Sequence, residues 1–448
     1  MPIAIIKKLY KKIKAPGEFR RMFVNASWLI YDRVIRLAVN LFIVGWMARY
    51  LGPKQYGNLD YAMSLTSLVA CFASFGINDI LIRDLINNPD QSRKILGSGF
   101  FIRQFGGLLA IVISIIAVFI VNSDEPLTKL LVSIVSLTYL FSSFDVVDLY
   151  FQSQIKSKYP VIANNIAFII MSGVRIALIL SEAPLIAFAA AASAEVLLAQ
   201  AGMFIVYRHH TGHYMFHWRF DWVITRSILR DSWPLLISWL SGVMFFKIGQ
   251  IMLGNMVDYR EVGEYAAAVK ISEVWYFVPW AVGITLYPKI VELKKKSEEQ
   301  YYSRLQEFFS IMAVLSYSVV LPTFFLSKWL IAIIFGDQFV KASMILNIHI
   351  WAGIFYSMGI ARNYWCNAEN HSRAILYSTV CGAVINVILN IPLILMYGGL
   401  GAAWSTMIAR IVSVYLSTVF ISRKIFFMQT QAFTLKGLSR LIKQDIIG

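Results

Sequence analysis

About twelve long apolar stretches constrain what this 448-residue chain can fold into. A helix needs about 20 predominantly apolar residues to cross a bilayer, and candidates lie near 26–48, 58–82, 97–121, 128–150, 160–180, 184–207, 233–255, 264–289, 306–327, 343–364, 371–397 and 399–425. The residues are 58% hydrophobic and only 15% charged, which is typical of polytopic membrane proteins and not of soluble enzymes. We therefore predict an all-α membrane protein.

The basic stretch 208–232 is the longest interruption between the predicted spans and divides them six and six. We therefore predict an N-lobe at 26–207 and a C-lobe at 233–425, joined by this stretch as a linker. The flanking segments 1–25 and 426–448 are basic and amphipathic, which favours contact with an anionic membrane surface.

Lysine and arginine are distributed unequally between the two sets of predicted loops. The set that includes both termini and the linker holds 27 of them, and the opposite set holds six. By the positive-inside rule, both termini are predicted to be cytoplasmic. The net charge of +16 then reflects orientation in the membrane, and nucleic-acid binding need not be invoked.

The two halves share short motifs at a nearly constant spacing. Three pairs recur at offsets of 205 to 207 residues: Ser27-Trp28 with Ser232-Trp233, GNLDYA at 57–62 with GEYAAA at 263–268, and Gly76-Ile77 with Gly283-Ile284. Because six spans separate the copies, we predict a parallel repeat of two six-helix lobes with a cavity between them.

Eight basic residues fall inside the predicted spans. They are Arg33, Arg36, Arg103, Arg175, Lys247, Lys270, Arg362 and Arg410. Each costs about 2.5 to 3.5 kcal/mol near the bilayer centre, so eight facing lipid would cost roughly 20 kcal/mol. Most must therefore face protein or water.

The position of each cation within its span suggests its environment. Arg103, Lys270 and Arg362 lie within two turns of a predicted span edge, which favours snorkelling to the lipid headgroups. The mid-span cations are interpreted as facing a hydrated cavity or a buried ion pair, and the predicted binding cations are Arg33, Arg36, Lys247, Arg410 and Arg175. Arg33, Arg36 and Asn40 would share one helical face, which makes Asn40 a candidate sugar contact.

Fewer acids than cations fall within the spans. Asp32, Asp145, Asp148, Glu195 and Glu273 leave a positive excess of three. Asp32, Asp145, Glu195 and Glu273 are candidates either for structural ion pairs or for coupling to a proton or cation, and both readings stay open. The excess predicts attraction for an anion, of which a phosphate or diphosphate is the obvious kind.

Two aromatic clusters are candidate sugar contacts. SEVWYFVPWAVG at 272–283 contains Trp275, Tyr276 and Trp280 around Pro279, which should kink the helix. RNYWCNAENH at 362–371 contains Tyr364. Aromatic belts at the membrane interface explain such residues equally well.

Motifs for metal, nucleotide or nucleophilic chemistry are absent from the sequence. The three cysteines are far apart and are interpreted as packing residues, and the histidines of the linker lack acidic or cysteine partners. There is no Walker A, G-x-S-x-G or H-E-x-x-H motif. We therefore predict no enzyme activity, metal or cofactor.

The segment from Asn25 to Leu85 resembles the N-terminal signature of the oligosaccharide flippases, which belong to the multidrug/oligosaccharidyl-lipid/polysaccharide exporter superfamily. ARYLGPKQYG at 48–57 and FGIND from Phe75 carry the resemblance. It implies two lobes in a V, as in multidrug and toxin extrusion (MATE) transporters, and alternating access. It also implies a cationic lumen, to which Arg33, Arg36, Lys247 and Arg410 match by location.

The resemblance implies a function as well as a fold. The expected cargo is a polyprenyl-diphosphate-linked oligosaccharide, such as an O-antigen repeat unit, moved across a bacterial inner membrane to the periplasmic leaflet by a monomer. Polysaccharide assembly proteins and membrane lipids are the expected partners. The alternatives are a cation-coupled multidrug exporter of the same fold and a membrane-embedded repeat-unit polymerase or ligase.

Overall fold

The structure, a computed structural model, describes residues 18–122, 124–212 and 217–434, and of residues 18–35 and 38 it describes the backbone alone. Every regular element in these ranges is helical. Within them, eleven helical stretches are long and apolar enough to cross a membrane, and the first of these, Val39–Asn87, joins parts of the first two predicted spans. The predicted all-α, multi-pass class is therefore confirmed.

The first helix, α1 (Glu18–Ser74), is kinked at Gly52. Gly52 has φ 72° and ψ 167°, a conformation that a residue with a Cβ rarely adopts. Pro53 follows and lacks the N–H that a continuous helix requires. The kink separates the first predicted span from the second.

The chain divides into two compact units, of which the first comprises Met1–Ile43 and Leu65–Trp239. After α1, its helices are α2 (Asn78–Asn87), α3 (Ser92–Val121), α4 (Pro126–Ser136), α5 (Thr138–Phe141), α6 (Val146–Ser153), α7 (Lys158–Leu180), α8 (Leu185–Thr211) and the first part of α9 (Trp222–Met256). Its core includes the fully buried Leu81, Phe151 and Ile228. These side chains come from α2, α6 and α9.

The second unit comprises Val44–Ser64 and Leu240–Gly448. Its further helices are α10 (Tyr259–Glu273), α11 (Phe277–Lys294), α12 (Glu298–Ile334), α13 (Ala342–His349), α14 (Ala352–Ala368), α15 (Ser372–Tyr397), α16 (Gly399–Arg410), α17 (Ser417–Ile421) and α18 (Arg423–Ala432). A π-helical segment, Ile411–Leu416, joins α16 to α17. The core packs Leu305 and Phe308 of α12 against Met358 and Trp365 of α14.

The observed division differs from the predicted lobes in two places. Residues 44–64 belong to the second unit, and most of the predicted linker 208–232 is helical because α8 continues to Thr211 and α9 begins at Trp222. Thr225, Ile228 and Ser232 form a buried face of α9. A hydropathy scan does not detect this first part of α9, because its other faces carry polar and basic residues.

The internal repeat is visible as a reciprocal contact within the second unit. A Cβ on Gly57 would overlap the carbonyl of Tyr259, and a Cβ on Gly263 would overlap the carbonyl of Pro53. Both pairs obey one offset, 206 residues, which relates GNLDYA to GEYAAA. The two copies of the motif therefore pack backbone against backbone.

The third pair of motifs is not equivalent in structure. Gly76 has φ 65° just after the end of α1, whereas Gly283 lies inside α11. A Cβ on Gly283 would meet the ring of Tyr364. The Gly-Ile match therefore reflects two different requirements, a positive φ at Gly76 and space for the Tyr364 ring at Gly283.

Two predicted spans are interrupted helices. The span at 128–150 breaks into α4, α5, a 3₁₀ turn at Ser142–Asp145 and α6, and the hydroxyls of Ser136, Thr138 and Ser142 each bond to a carbonyl three residues earlier. The span at 264–289 breaks at the 3₁₀ turn Val274–Tyr276. Pro279 lies in the first turn of α11, just after this break, as expected for a residue that cannot bond to the carbonyl four positions earlier.

Candidate functional site

Charged side chains from four helices come together inside the second unit. Glu273, the last residue of α10, interacts electrostatically with Arg410, Lys247, Lys270 and Asp60. Three cations thus face two acids. In the described part of the chain, no Glu273 oxygen lies within 4.0 Å of a Lys247 or Arg410 nitrogen, so neither cation is neutralised by a direct ion pair.

Arg410 ends α16 immediately before the π-helical segment and is 6% exposed. Its guanidinium carbon lies 4.6 to 5.8 Å from the centroids of four aromatic rings, those of Phe245, Phe246, Tyr276 and Tyr356. Ring faces attract a cation but accept no conventional hydrogen bond. The Nε and Nη2 atoms of Arg410 are buried and have no hydrogen-bond partner.

The predicted sugar-contact aromatics do not form one site. Tyr276 stacks on Tyr356 with centroids 4.0 Å apart and thereby lies beside Arg410. Trp275 is buried and contacts Tyr276 edge-on. Trp280 is 47% exposed, and Tyr364 packs against Tyr287 with centroids 4.7 Å apart. Of these four, Tyr276 contacts a predicted binding cation, Arg410, in the part of the chain whose side chains are described.

The predicted cations of the first helix are described in part. Arg36 is half-buried, with its guanidinium carbon 5.3 Å from the centroid of the Phe168 ring. Asn40 is half-buried one turn further along α1. The side chains of Asp32 and Arg33 lie outside the described residues, although their backbone is helical.

Two of the cations predicted inside spans, both in the first unit, have carboxylate partners. Arg175 donates to Glu195 over 2.6 Å, and Arg103 donates to Asp145 over 3.2 Å. Gln200 also donates to Asp145, over 2.6 Å. Glu195 and Asp145 therefore form the ion pairs that were one of their two predicted roles, and Arg175, predicted as a binding cation, is neutralised by its neighbour in this structure.

The snorkelling interpretation is wrong for Arg103 and Arg362. Both are buried, at 4% and 2% exposure, and both donate hydrogen bonds to backbone carbonyls inside their units. Arg103 bonds to the carbonyl of Ser142 at the break before α6, and Arg362 bonds to that of Ser413 in the π-helical segment. Interrupted helices expose carbonyl oxygens, which are good partners for buried arginines.

Comparison with known families places the chain in one of them. The model of the polysaccharide biosynthesis protein family matches residues 23–294, more than half of the chain. The chain belongs to the polysaccharide biosynthesis protein family. The MatE family model also matches residues 234–391. The predicted family relationship, based on Asn25 to Leu85, is thereby confirmed.

Two relatives of the chain have informative names. The chain is 27% identical over 201 residues to the "probable low-salt glycan biosynthesis flippase Agl15" of Haloferax volcanii, a match covering 44% of this chain and 42% of that protein. It is 19% identical over 377 residues to a "putative O-antigen transporter" of Shigella dysenteriae, covering 83% and 93%. Both relatives are named as transport proteins and not as enzymes.

Solved structures show the same fold. The lipid II flippase MurJ in an inward closed conformation matches with a TM-score of 0.70 at 16% identity, covering 94% of this chain and 93% of MurJ. An inward-facing multidrug resistance MATE family transporter matches with a TM-score of 0.67 at 13% identity, covering 88% and 95%. At these identities the likeness establishes the fold of this family member and no more.

Two interior groups were not predicted from the sequence. Asp60 is buried within the GNLDYA motif, and His349 is buried with Nδ1 2.8 Å from the Ser272 hydroxyl. The motif itself was the signal for Asp60. A lone histidine in an apolar stretch gave no comparable signal, and its partner lies 77 residues away.

Proposed function

We propose that this chain is a flippase for a polyprenyl-diphosphate-linked oligosaccharide, which it moves from the cytoplasmic to the periplasmic leaflet of a bacterial inner membrane by alternating access. The diphosphate and the sugar hydroxyls cannot leave water unaided, because burying unpaired polar and charged groups is costly. A hydrated passage lined by cations replaces the water around the diphosphate while the lipid tail stays in the bilayer.

The observation that carries this proposal is the uncompensated positive charge inside the second unit. Lys247 and Arg410 face Glu273 without a direct ion pair, and Arg410 keeps unpartnered N–H donors in a low-dielectric interior. In such surroundings an anion gains far more from a cation than it would in water. Membership of a polysaccharide biosynthesis family supports a cargo that matches this charge, namely a sugar chain on an anionic lipid.

Arg36 is proposed as a second binding position, with Arg33 beside it on α1. Asn40, Tyr276, Trp275, Trp280 and Tyr364 remain proposed sugar contacts. Glu273 and Asp32 remain candidates for coupling to a proton or sodium ion. Arg175 is the weakest of the proposed binding cations, because it already forms an ion pair with Glu195.

A second candidate is a cation-coupled multidrug exporter, which the MatE match over 234–391 favours. A cationic drug requires an acidic interior, however, and the described cluster around Glu273 has three cations against two acids. The sign of this charge favours an anionic cargo.

Deletion of the gene in the source organism tests the proposal. We expect lipid-linked oligosaccharide to accumulate and to be protected from a glycosidase added outside spheroplasts, and a plasmid copy of the gene to reverse both effects. Altered polymer length with normal glycosidase access would instead indicate a polymerase. Drug sensitivity with normal access would indicate the multidrug exporter.

A further inference from the structure

The ion pair of Arg103 and Asp145 buries its cation and leaves its carboxylate accessible. The side chain of Arg103 is 5% exposed, whereas that of Asp145 is 43% exposed. The pair of Arg175 and Glu195 is arranged in the same sense, at 14% and 22%. Asp145 lies within the candidate span Pro126–Ser153, where a carboxylate that faces lipid is costly. We therefore expect the accessible side of Asp145 to face water or a polar ligand.

Two buried donors fix the orientation of the Asp145 carboxylate. Its Oδ2 accepts from Arg103 over 3.2 Å, and its Oδ1 accepts from Gln200 Nε2 over 2.6 Å. The Oε1 atom of Gln200 is buried and has no hydrogen-bond partner in the described part of the chain, so the orientation of this amide satisfies the carboxylate. Each carboxylate oxygen has further lone pairs. Asp145 can therefore accept hydrogen bonds from a ligand without releasing either donor.

Gln104 of α3 brings a hydrogen-bond donor to the same turn. Gln104 is half-buried, and its Oε1 accepts from the hydroxyl of Ser143, two residues before Asp145, over 2.7 Å. Within the described ranges, Gln104 Nε2 donates to no protein group. The neighbouring Arg103 bonds to the carbonyl of Ser142 in this turn. An available amide donor and an available carboxylate acceptor therefore lie at one broken-helix turn, Ser142–Asp145.

The polar face continues from this turn along α6. Asp145, Asp148 and Gln152 are all half-buried and recur at i, i+3 and i+7, which is the spacing of one helical face. Gln152 donates to Asp148 over 3.0 Å. At 1.5 Å per residue, this face is about 10 Å long. It presents carboxylates and amides, and the guanidinium of Arg103 is buried beneath it.

This combination of groups suits the hydroxyls of a sugar. Each hydroxyl can donate one hydrogen bond and accept others, so it matches a carboxylate acceptor beside an amide donor. A hydrogen bond from a hydroxyl to an ionised carboxylate is also stronger than one between neutral groups. A carboxylate on the ligand, as in a uronic acid, would instead be repelled by Asp145 and Asp148.

We propose that the face formed by Gln104, Asp145, Asp148 and Gln152 binds the sugar portion of the cargo and selects neutral sugars over acidic ones. Asp145 and Asp148 accept hydrogen bonds from sugar hydroxyls, and Gln104 donates to them. The inference rests on the proposed flippase function, which it deepens by assigning the sugars at this face to the neutral class.

Two isosteric substitutions change the charge of this face in opposite directions. Asp148→Asn removes a negative charge and keeps an oxygen that can accept from Gln152. Gln104→Glu adds a negative charge and keeps an oxygen that can accept from Ser143. Asp90→Asn is the matched control, because Asp90 is an exposed aspartate of the first unit in the turn before α3.

The test measures binding of defined lipids to the purified full-length protein in detergent by microscale thermophoresis. The lipids are polyprenyl diphosphates carrying one of three neutral disaccharides, each paired with a counterpart in which one hexose is oxidised to the uronic acid. We expect the wild-type protein and Asp90→Asn to bind a neutral lipid about tenfold or more tighter than its acidic counterpart. The preference should shrink by about threefold or more in Asp148→Asn and should increase in Gln104→Glu.

Equal affinity of the wild-type protein for both members of every pair, or no binding of any of them, would overturn the inference. A preference that is unchanged in both Asp148→Asn and Gln104→Glu would also overturn it. Because binding is measured and not transport, either failure leaves the flippase proposal to the gene-deletion test. A preserved preference in a chain that fails the deletion test would leave the sugar-binding face standing without the flippase.

Discussion

At the scale of single residues, the decisive property of a buried cation is whether a carboxylate faces it directly. Arg175 and Arg103 have such partners at 2.6 and 3.2 Å, whereas Arg362 is held by neutral acceptors and Arg410 by aromatic rings. All four were equally cationic in the sequence. Apart from Asn363, which is adjacent to Arg362, their partners lie between 16 and 165 residues away, in segments that only the fold brings together.

The mid-span cations are expected to be required for transport. We predict that Arg36→Ala and Lys247→Ala each impair export of surface polysaccharide, because each removes a proposed contact with the diphosphate. Lys289→Ala, which removes an exposed lysine paired with Glu292, is the control and should leave export unchanged. Export is quantified by immunoblotting of surface polysaccharide at matched protein levels, and normal export in both test variants would refute the assignment.

The pair of Arg175 and Glu195 is expected to act mainly on stability. Removing one partner of a half-buried pair leaves an uncompensated charge, for which we expect a cost of about 1–3 kcal/mol. Arg175→Met and Glu195→Met should therefore each lower the melting temperature in detergent, and the double variant should regain part of the loss. Strictly additive losses would show that the two side chains are not coupled.

At the scale of elements, close backbone contact explains the glycine that the GNLDYA and GEYAAA motifs share. Gly57 and Gly263 approach the carbonyls of Tyr259 and Pro53 so closely that a methyl group does not fit. The sequence predicted these glycines as repeat-related, because the motifs share an offset. It did not predict that the two copies contact each other, because an offset carries no information about distance.

Substitution of the repeat glycines is expected to disturb this packing. Gly57→Ala and Gly263→Ala should lower the melting temperature of the purified protein, because overpacking typically costs about 1–3 kcal/mol. Gly173→Ala, at an open helical position, should leave it unchanged or raise it, since alanine favours helix. A melting temperature unchanged in both test variants would contradict the contact.

The start of α9 depends on a capping aspartate. Asp221 accepts hydrogen bonds from Lys94 Nζ at 3.0 Å and from the backbone amides of Val223 and Ile224. The bond from Lys94 is the main cause, followed by that from Ile224, of a pKa below the usual aspartate range. A carboxylate with a lowered pKa in the folded state stabilises the fold above its ordinary pKa, and this stabilisation is lost as the pH falls through the lowered value.

We therefore predict that Asp221→Ala lowers the melting temperature at neutral pH, and that the difference from wild type shrinks as the pH falls below about 4. Asp221→Asn should be intermediate, because asparagine still caps the helix but has no charge for Lys94. Thermal melts at several pH values check both statements. A deficit of Asp221→Ala that is constant with pH would exclude the charged cap.

At the scale of the whole molecule, the motifs at 48–57 and from Phe75 predicted the family, and hydropathy predicted the class of fold and the approximate spans. It placed the start of α9 about three turns too late, because the beginning of that helix is amphipathic and its buried face consists of Thr225, Ile228 and Ser232. It also missed the breaks at Ser142–Asp145 and Ile411–Leu416. Side chains from distant helices contact both breaks, so no local sequence pattern predicts them.

The candidate site was predictable as a set of charges and not as an arrangement. Lys247, Glu273 and Arg410 stood out because charges are costly in an apolar span. The aromatic rings around Arg410 did not, because Phe245, Phe246 and Tyr356 look like ordinary membrane-helix residues in the sequence. In the folded chain these charged residues and rings lie close together and form a positively charged interior in the second unit.

Reconstituted transport tests the central claim most directly. The purified protein in liposomes should speed the passage of a fluorescent polyprenyl-diphosphate sugar from one leaflet to the other, measured by chemical quenching of the outer leaflet. We predict that Lys247→Ala and Arg410→Ala slow this passage by about tenfold or more, while Lys289→Ala matches wild type. Passage at the wild-type rate in both variants would contradict the claim that these interior cations carry the diphosphate.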